Sequence, residues 1–422
     1  MTDAASLAPL PLPHRFARWV TLVSFGLMTV GFALYHLLLR LGLIEAFLGG
    51  YLGIVGVVLF FPLMVVYIMQ VAAEPWRFNR GDVLYFSFML VLTLVASFNL
   101  ARGRVIDIAQ GHLAAVAEIT VIYVIFNIAD LRWRPFQIAM WIAFAVLAMI
   151  MVSLSLGGMG AEEYQEVQLL PTADVANYAF YAVTFLYLLV CCTALARNMP
   201  LRLVVYAIGI VALFYNGARS ELIVAIPMFV IAESLLSRKN MALVLVACFV
   251  FLFLMGPLID YLEQAFPNNR AVELLSDFST DQSVREREFV YLQGLDVIRH
   301  HPVFGSYGYY VEGYYVHNLL SAWAELGIFG FALFLAGVLY PVAGATQNFI
   351  KNRIDPELLA FALFAGSSFA LFVFAKNFSH PTFGVTLAFY SRQLTRKHLT
   401  ERFTANSLMS RPQSQASVSV TT

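Results

Sequence analysis

The residues best suited to chemistry lie in one stretch late in the chain, RHHPVFGSYGYYVEGYYVHNLLSAWAELGIFG, residues 299–330. Within it, His317 is the candidate general base. An imidazole titrates near pH 6.5, and a partly buried one can stay neutral and accept a proton from a hydroxyl group. The alternative is structural: the ring would cap a helix end or hydrogen-bond a backbone carbonyl.

Other residues of the same stretch could support that base. The glycines allow the backbone to approach a ligand closely, and the tyrosines suit a membrane interface or stacking on sugars. Glu325 follows His317 by eight positions, which turns it about 80° away on a helix. It would either steady the site or face a neighbouring helix. The supporting residues predicted here are Asn318, Glu325 and Tyr314.

Arginines form the second group of candidates, because the planar guanidinium binds two phosphate oxygens at once. Arg219 lies in the motif NGARSEL, a break between two hydrophobic segments, where an unpaired charge is expensive. A salt bridge to Glu221 would be the structural explanation. If several arginines converge, they can hold a pyrophosphate without a metal ion. The predicted phosphate-binding residues are Arg219, Arg285, Arg287 and Arg299.

A weaker candidate is the polar segment with Lys376, Asn377 and His380, between the last two hydrophobic segments. A lysine that extends its ammonium group to the membrane surface would explain it equally well. The sequence contains no Walker A loop, HExxH motif, GxSxG elbow or Cys/His cluster. We therefore predict acid–base chemistry with arginine electrostatics, and neither a metal nor a cofactor.

The composition identifies the surroundings of these residues. Sixty per cent of the 422 residues are apolar or aromatic, 12% are charged, and mean hydropathy is +0.75. Soluble domains are about 25% charged, so this chain cannot cover a water-soluble globule. A cytosolic enzyme and a disordered scaffold are excluded. The net charge of zero argues against nucleic acid as a partner.

The long apolar runs predict an all-α polytopic membrane protein embedded in the lipid bilayer, with about 12 transmembrane helices (11–12). Residues 1–258 would contain the first nine helices and residues 319–391 the last three. Between them, residues 259–318 form a large loop that carries the site residues. A capping box at Ser283 and a stop at Pro302 predict a helix inside that loop. Residues 392–422 are predicted to be a largely disordered tail.

Basic residues orient this arrangement. With the N-terminus in the cytoplasm, most of the 26 basic residues fall on the inner side. Each short inner connection has a basic pair close to a helix end, as the positive-inside rule requires. Both termini are then cytoplasmic, and the large loop and the candidate site face the periplasm.

Together, NGARSEL, the late outer loop, HHPVFGSYG and HNLLSAWAELGIFG resemble the O-antigen polymerase/O-antigen ligase superfamily of bacterial inner membranes. The motif resemblance covers roughly residues 203–345. It implies a membrane-embedded glycosyltransferase that takes a glycan from an undecaprenyl-pyrophosphate carrier and passes it to a glycan acceptor. By motif match, His317 would activate the acceptor hydroxyl, and Arg219 and Arg285 would hold the donor pyrophosphate.

Several functions fit this resemblance. The tyrosine-rich loop and the Ser-Ala-Trp after His317 favour a polymerase of carrier-linked repeat units, for O-antigen or exopolysaccharide, working with a chain-length regulator. The alternative is a ligase that transfers the glycan to lipid A–core. A transporter of lipid-linked glycans and a non-catalytic membrane subunit are further possibilities, although the charges lie at the outer face instead of mid-membrane, where a transporter would place them.

Overall fold

The structure is a computed structural model that describes residues 12–45, 51–156, 178–265, 272, 282–310, 315–351 and 354–409. Its described residues contain helices and no strand. A π-helical turn (Leu27–Gly31) joins the first two helices, and a 3-10 turn (Pro75–Arg77) follows the third. The α-helices are α1 (Leu12–Gly26), α2 (Phe32–Arg40), α3 (Tyr51–Ala73), α4 (Arg80–Ala101), α5 (Ile106–Ile128), α6 (Arg134–Leu156), α7 (Tyr178–Leu195), α8 (Met199–Tyr215), α9 (Arg219–Leu236), α10 (Arg238–Ala265), α11 (Gln282–His300), α12 (Leu320–Lys351), α13 (Pro356–Phe374) and α14 (Thr382–Met409).

Seven of the described helical segments are long and apolar enough to cross a membrane. The first combines α1, the π turn and α2; the others are α3, α4, α5, α6, α12 and α13. Two shorter apolar helices, α7 and α8, accompany them. The all-α membrane fold is thus confirmed, whereas the described residues do not confirm the count of about 12 spans. The sidedness of the large loop stays a prediction, although its predicted internal helix is present as α11.

The beginning of the predicted tail is helical. Residues 392–409, expected to be largely disordered, continue α14 without interruption to Met409. Its extension packs against the bundle: Arg392 pairs with Glu357 at 2.6 Å, and Asn79 donates hydrogen bonds to Ser391 and Thr395. Polar side chains with internal partners therefore hold a helix that composition alone suggested was unstructured. The rest of the predicted tail, 410–422, lies outside the described residues.

A buried carboxylate joins the central helices. Asp82 on α4 is fully buried and accepts hydrogen bonds from Tyr67 at 2.7 Å, from Tyr123, and from Ser391 at 2.9 Å. These donors come from α3, α5 and α14, while Tyr85 stacks on Tyr123 with ring centroids 3.8 Å apart. A buried carboxylate deprived of such partners would cost several kcal/mol, so these four helices keep a fixed arrangement.

Helix ends meet around the candidate site. The beginning of α9, the beginning of α12 and the connection between α13 and α14 all lie at one end of the bundle. The backbone N–H of Phe378, in that connection, donates to the hydroxyl of Ser321 on α12 at 3.2 Å. The site is thus built from segments that are far apart in the sequence.

Candidate active site

His317 lies in the segment that leads into α12 and is partly buried there. Its imidazole hydrogen-bonds the backbone of Ala375, in the connection after α13. Tyr315 packs against the same ring with centroids 4.5 Å apart. A bond from one ring nitrogen to a carbonyl fixes the orientation of the imidazole and leaves the other nitrogen to accept a proton.

Lys376 forms an ion pair beside this imidazole. Its Nζ lies 2.7 Å from Oε1 of Glu221, and the glutamate side chain is only 3% exposed. Glu221 stands in the first turn of α9, where the partial positive charge of the helix terminus favours a carboxylate. The pair therefore fastens the start of α9 to the connection after α13, next to His317.

The surroundings keep His317 neutral. Burial is the largest cause that lowers its pKa, and the charges of Arg287 and Lys376 lower it further. The bond to Ala375 opposes them, and the pKa settles at about 4. The imidazole is therefore unprotonated at neutral pH, as a general base must be before it reacts.

The predicted arginines are not equally placed. Arg287, on the exposed face of α11, is close enough to act on His317 by its charge. Arg219 is the first residue of α9 and half-buried, two positions before Glu221. Arg299 is exposed in the last turn of α11 and is not among the groups that act on His317. The side chain of Arg285 lies outside the described residues.

Of the predicted supporting residues, Asn318 has a structural task. Its Oδ1 accepts the N–H of Leu320 at 2.9 Å, and its carbonyl accepts the N–H and the hydroxyl of Ser321. These bonds satisfy donors that the first turn of a helix leaves without a partner. Asn318 thus starts α12 at a fixed point beside His317. Tyr314 lies outside the described residues.

The loop after α11 docks into a break in α12. Gly327 is non-helical within α12, at φ 68° and ψ −171°, and Gly305 in the loop also has a positive φ of 68°. Across the break, the N–H of Ile328 contacts the carbonyls of Pro302 and Val303 at 3.2 Å, and Ser306 donates to Ala324 at 2.7 Å. Loop backbone thus replaces the helical hydrogen bonds that α12 loses, and it needs glycine at both contacts.

Gly327→Ala should therefore destabilise the protein by at least about 2 kcal/mol, since a side chain at positive φ is strained. A Cβ there would also lie 2.1 Å from the carbonyl oxygen of Val303, which is backbone and cannot move aside cheaply. The measurement is the thermal unfolding temperature of the purified protein in detergent. Gly111→Ala is the control, because a Cβ at Gly111, inside α5, meets nothing within 4 Å. Equal unfolding temperatures for the two variants would contradict this account of the break.

Glu325 supports the loop and has no described contact with His317. It is buried, accepts the backbone N–H of Gly308, and lies 3.4 Å from the hydroxyl of Tyr310. Tyr307 reaches Nδ1 of His112 on α5 at 2.8 Å. Burial and the Glu325 charge raise the pKa of the Tyr307 and Tyr310 hydroxyls. The hydroxyl groups of Tyr307 and Tyr310 therefore have partners inside the protein, whereas Tyr315 lies against His317.

Sequence reasoning gave too little weight to the segment after α13. Lys376 and Ala375 both act on His317, and His380 lies buried nearby, with Nδ1 2.8 Å from the Thr382 hydroxyl. Burial and the Lys376 charge hold the pKa of His380 well below its usual value. The sequence signal was Lys376 itself, a basic residue on the side that the predicted topology assigns to the periplasm, where positive charge is depleted.

The comparisons with known proteins fit this geometry. No curated protein matches the chain. Residues 204–335 match the Wzy_C family, described as O-Antigen ligase. That range begins in α8, passes Arg219, Glu221 and α11, and ends in α12 beyond His317 and Glu325. Members of this family are glycosyltransferase-like enzymes of the ligase and polymerase type. The match supports, over residues 204–335, the resemblance to the O-antigen ligase/polymerase superfamily seen in the motifs, and the apolar helices are those of a multi-pass membrane protein.

Proposed function

We propose that the protein transfers a glycan from a polyprenyl-pyrophosphate carrier, undecaprenyl pyrophosphate in bacteria, to a sugar hydroxyl. The single observation that carries the proposal is a neutral imidazole, His317, held next to the cations Lys376 and Arg287. One group accepts a proton and the others bind negative charge. Glycosyl transfer from a pyrophosphate requires both functions at the same place.

The reaction runs as a single displacement. The unprotonated nitrogen of His317 takes the proton of the acceptor hydroxyl while its oxygen attacks the anomeric carbon. The bond from that carbon to the pyrophosphate oxygen breaks, and the electron pair leaves with the carrier, so the anomeric configuration inverts. Lys376, Arg287 and Arg219 stabilise the charge that develops on the leaving oxygen.

The low pKa of His317 has a role in this scheme. A base with a pKa of about 4 is weak, and general bases work best near the operating pH. A bound pyrophosphate carries negative charge that offsets Arg287 and Lys376, two of the causes that lower this pKa. Donor binding therefore raises the basicity of His317 just before it must accept a proton.

Arg287→Gln should move the acid limb of kcat/KM to higher pH, since removal of a cation raises the pKa of His317 toward 6.5. The limb of the unaltered protein should lie near pH 4, where the free protein loses its neutral imidazole. The measurement is transfer from a synthetic carrier-linked oligosaccharide between about pH 3 and pH 8, with each variant normalised to its own plateau. Arg299→Gln, which removes another exposed arginine of α11, is the control and should leave the limb in place. If the acid limb of kcat/KM lay at the same pH in both variants, the charge of Arg287 would not act on His317.

Two functions share this chemistry, polymerase and ligase, and they differ in the acceptor of the glycan. Polymerisation was predicted from the tyrosine-rich loop and the Ser-Ala-Trp motif. Both features have packing contacts: Trp323 donates to the carbonyl of Pro302 at 2.9 Å, and Ser321 accepts from Phe378. They no longer favour one acceptor, and the matching family includes enzymes of both the ligase and the polymerase type.

Complementation decides between the two acceptors. The gene is expressed in one strain without its O-antigen polymerase and in another without its ligase. Restored chain length with unaltered attachment identifies a polymerase, whose length distribution a partner regulator would set. Restored attachment to lipid A–core identifies a ligase. Purified protein that extends or transfers a carrier-linked glycan in detergent would exclude the transporter and the non-catalytic subunit.

The location follows from the same proposal. Donor and acceptor meet at the periplasmic face of the inner membrane, so His317 belongs on that side and both termini in the cytoplasm. A membrane-impermeant thiol reagent tests this placement on intact cells. It should label a cysteine introduced at the exposed residue His300 and should not label one at the exposed residue Arg134.

A further inference from the structure

A polar cavity lies at the end of the bundle remote from His317. It has a volume of about 710 Å³ and is formed by the ends of α1, α3, α5 and α13 together with the later part of α14. Glu357 lines it at the start of α13, whereas Ala375 beside His317 follows the end of that helix. At 1.5 Å per residue, α13 separates the two places by about 27 Å. The mechanism of glycosyl transfer makes no use of this cavity.

Positive charge dominates its lining. Five arginines face three carboxylates, and His14 adds a further group that can be protonated. A fourth carboxylate, Asp355, pairs with two of these arginines from beside the cavity, so the balance stays positive when it is included. The arginines are Arg18, Arg77, Arg132, Arg392 and Arg396, and the lining carboxylates are Glu74, Asp130 and Glu357.

Carboxylates and carbonyl groups hold these guanidinium groups in place. Arg18 contacts Asp130 at 2.5 Å through Nη2, and Arg392 contacts Glu357 at 2.6 Å while donating to the carbonyl of Phe126 at 3.1 Å. Arg77 pairs with Glu74 three positions earlier. An arginine offers five N–H donors in a fixed fork. When some of these donors bind a carboxylate, the others can still bind a ligand. Positioned forks of this kind bind phosphate oxygens in pairs.

Tryptophans place the cavity at the level of lipid headgroups. Trp19 and Trp133 meet edge to face with centroids 5.3 Å apart, and the guanidinium of Arg18 lies 5.8 Å from the ring of Trp133. Trp76 stacks on His398 close by. Tryptophan is enriched where a membrane meets water. A phosphate group at that depth can come from a phospholipid or from solution.

We propose that this cavity is a binding site for a phosphate-bearing anion, separate from the site of glycosyl transfer. The guanidinium forks bind the phosphate oxygens, and the carboxylates keep the forks apart and aimed into the cavity. By the predicted topology, the site faces the cytoplasm. The ligand is the headgroup of an anionic phospholipid or a free phosphate ion.

Binding to the purified full-length protein tests this site in two arms. In the first, inorganic phosphate is titrated and the shift of the unfolding temperature gives an apparent Kd. In the second, delipidated protein receives phosphatidylglycerol or phosphatidylcholine, and native mass spectrometry counts bound lipid. Phosphate binding in the first arm identifies a soluble ligand. Retention of phosphatidylglycerol above phosphatidylcholine identifies a headgroup. Absence of both overturns the proposal.

Matched variants assign the binding to this cavity. Arg77→Gln should weaken binding at least about tenfold, because hydrogen bonds to charged groups are lost. Glu74→Gln should strengthen it, because it removes the competing partner of Arg77 while leaving every cation. Arg104→Gln is the control: it removes one exposed positive charge before the start of α5, at the other end of that helix from the cavity. Equal weakening by Arg77→Gln and Arg104→Gln, or unchanged binding in both Arg77→Gln and Glu74→Gln, would overturn the assignment.

Discussion

His317→Gln should lower kcat for glycosyl transfer by a factor of about 10² to 10⁴, the usual contribution of a general base. Glutamine preserves much of the size and can still hydrogen-bond the carbonyl of Ala375, but it cannot accept the acceptor's proton. The KM for the donor should change little, because the imidazole is neutral at the start of the reaction and the cations bind the pyrophosphate. The measurement is turnover of a synthetic carrier-linked oligosaccharide at saturating donor and acceptor.

His300→Gln is the matched control for this experiment. His300 is exposed at the end of α11, where its ring nitrogen contacts the backbone carbonyl of Asp296 at 2.9 Å. Turnover by this variant should equal that of the unaltered protein. If His317→Gln also retained full turnover, His317 would be a structural residue of the Ala375 contact and the proposed mechanism would fail.

Lys376→Met should destabilise the protein by about 3–5 kcal/mol, the usual consequence of leaving a buried charge without its partner. The Glu221 carboxylate, 2.7 Å from the ammonium group, is almost fully buried. Lys376→Met should also weaken donor binding, because one of the cations beside His317 is lost. The two effects are measured separately, by thermal unfolding in detergent and by the KM for the donor.

Lys376→Met combined with Glu221→Leu distinguishes a structural lysine from one that binds the donor. Replacing both partners of a buried ion pair by apolar groups of similar size is often nearly neutral for stability. We expect the double variant to recover most of its unfolding temperature while its donor KM stays high. Recovery of both properties would show that Lys376 only fastens α9 to the connection after α13.

The sequence by itself determined the physical class of this protein and singled out one stretch as the candidate site. The shortage of charge and the long apolar runs leave helices in a membrane as the arrangement that hides the backbone. A capping box and a proline gave the helix of the large loop nearly to the residue, now seen as Gln282–His300. His317 became the candidate base because its motif is local, and the residues that match the family include that motif.

Only the tertiary structure decided which polar residues lie close together in space. Glu325, Tyr307 and Tyr310, which lie near His317 in the sequence, make contacts that hold the loop against α12 and α5. Lys376 and Glu221, from two separate connections, meet beside His317. Hydrophobic periodicity and helix caps depend on interactions between residues a few positions apart, so they can be recognised directly in the sequence. Which helix ends converge depends on how whole helices pack, and that depends on side chains distributed over the entire bundle.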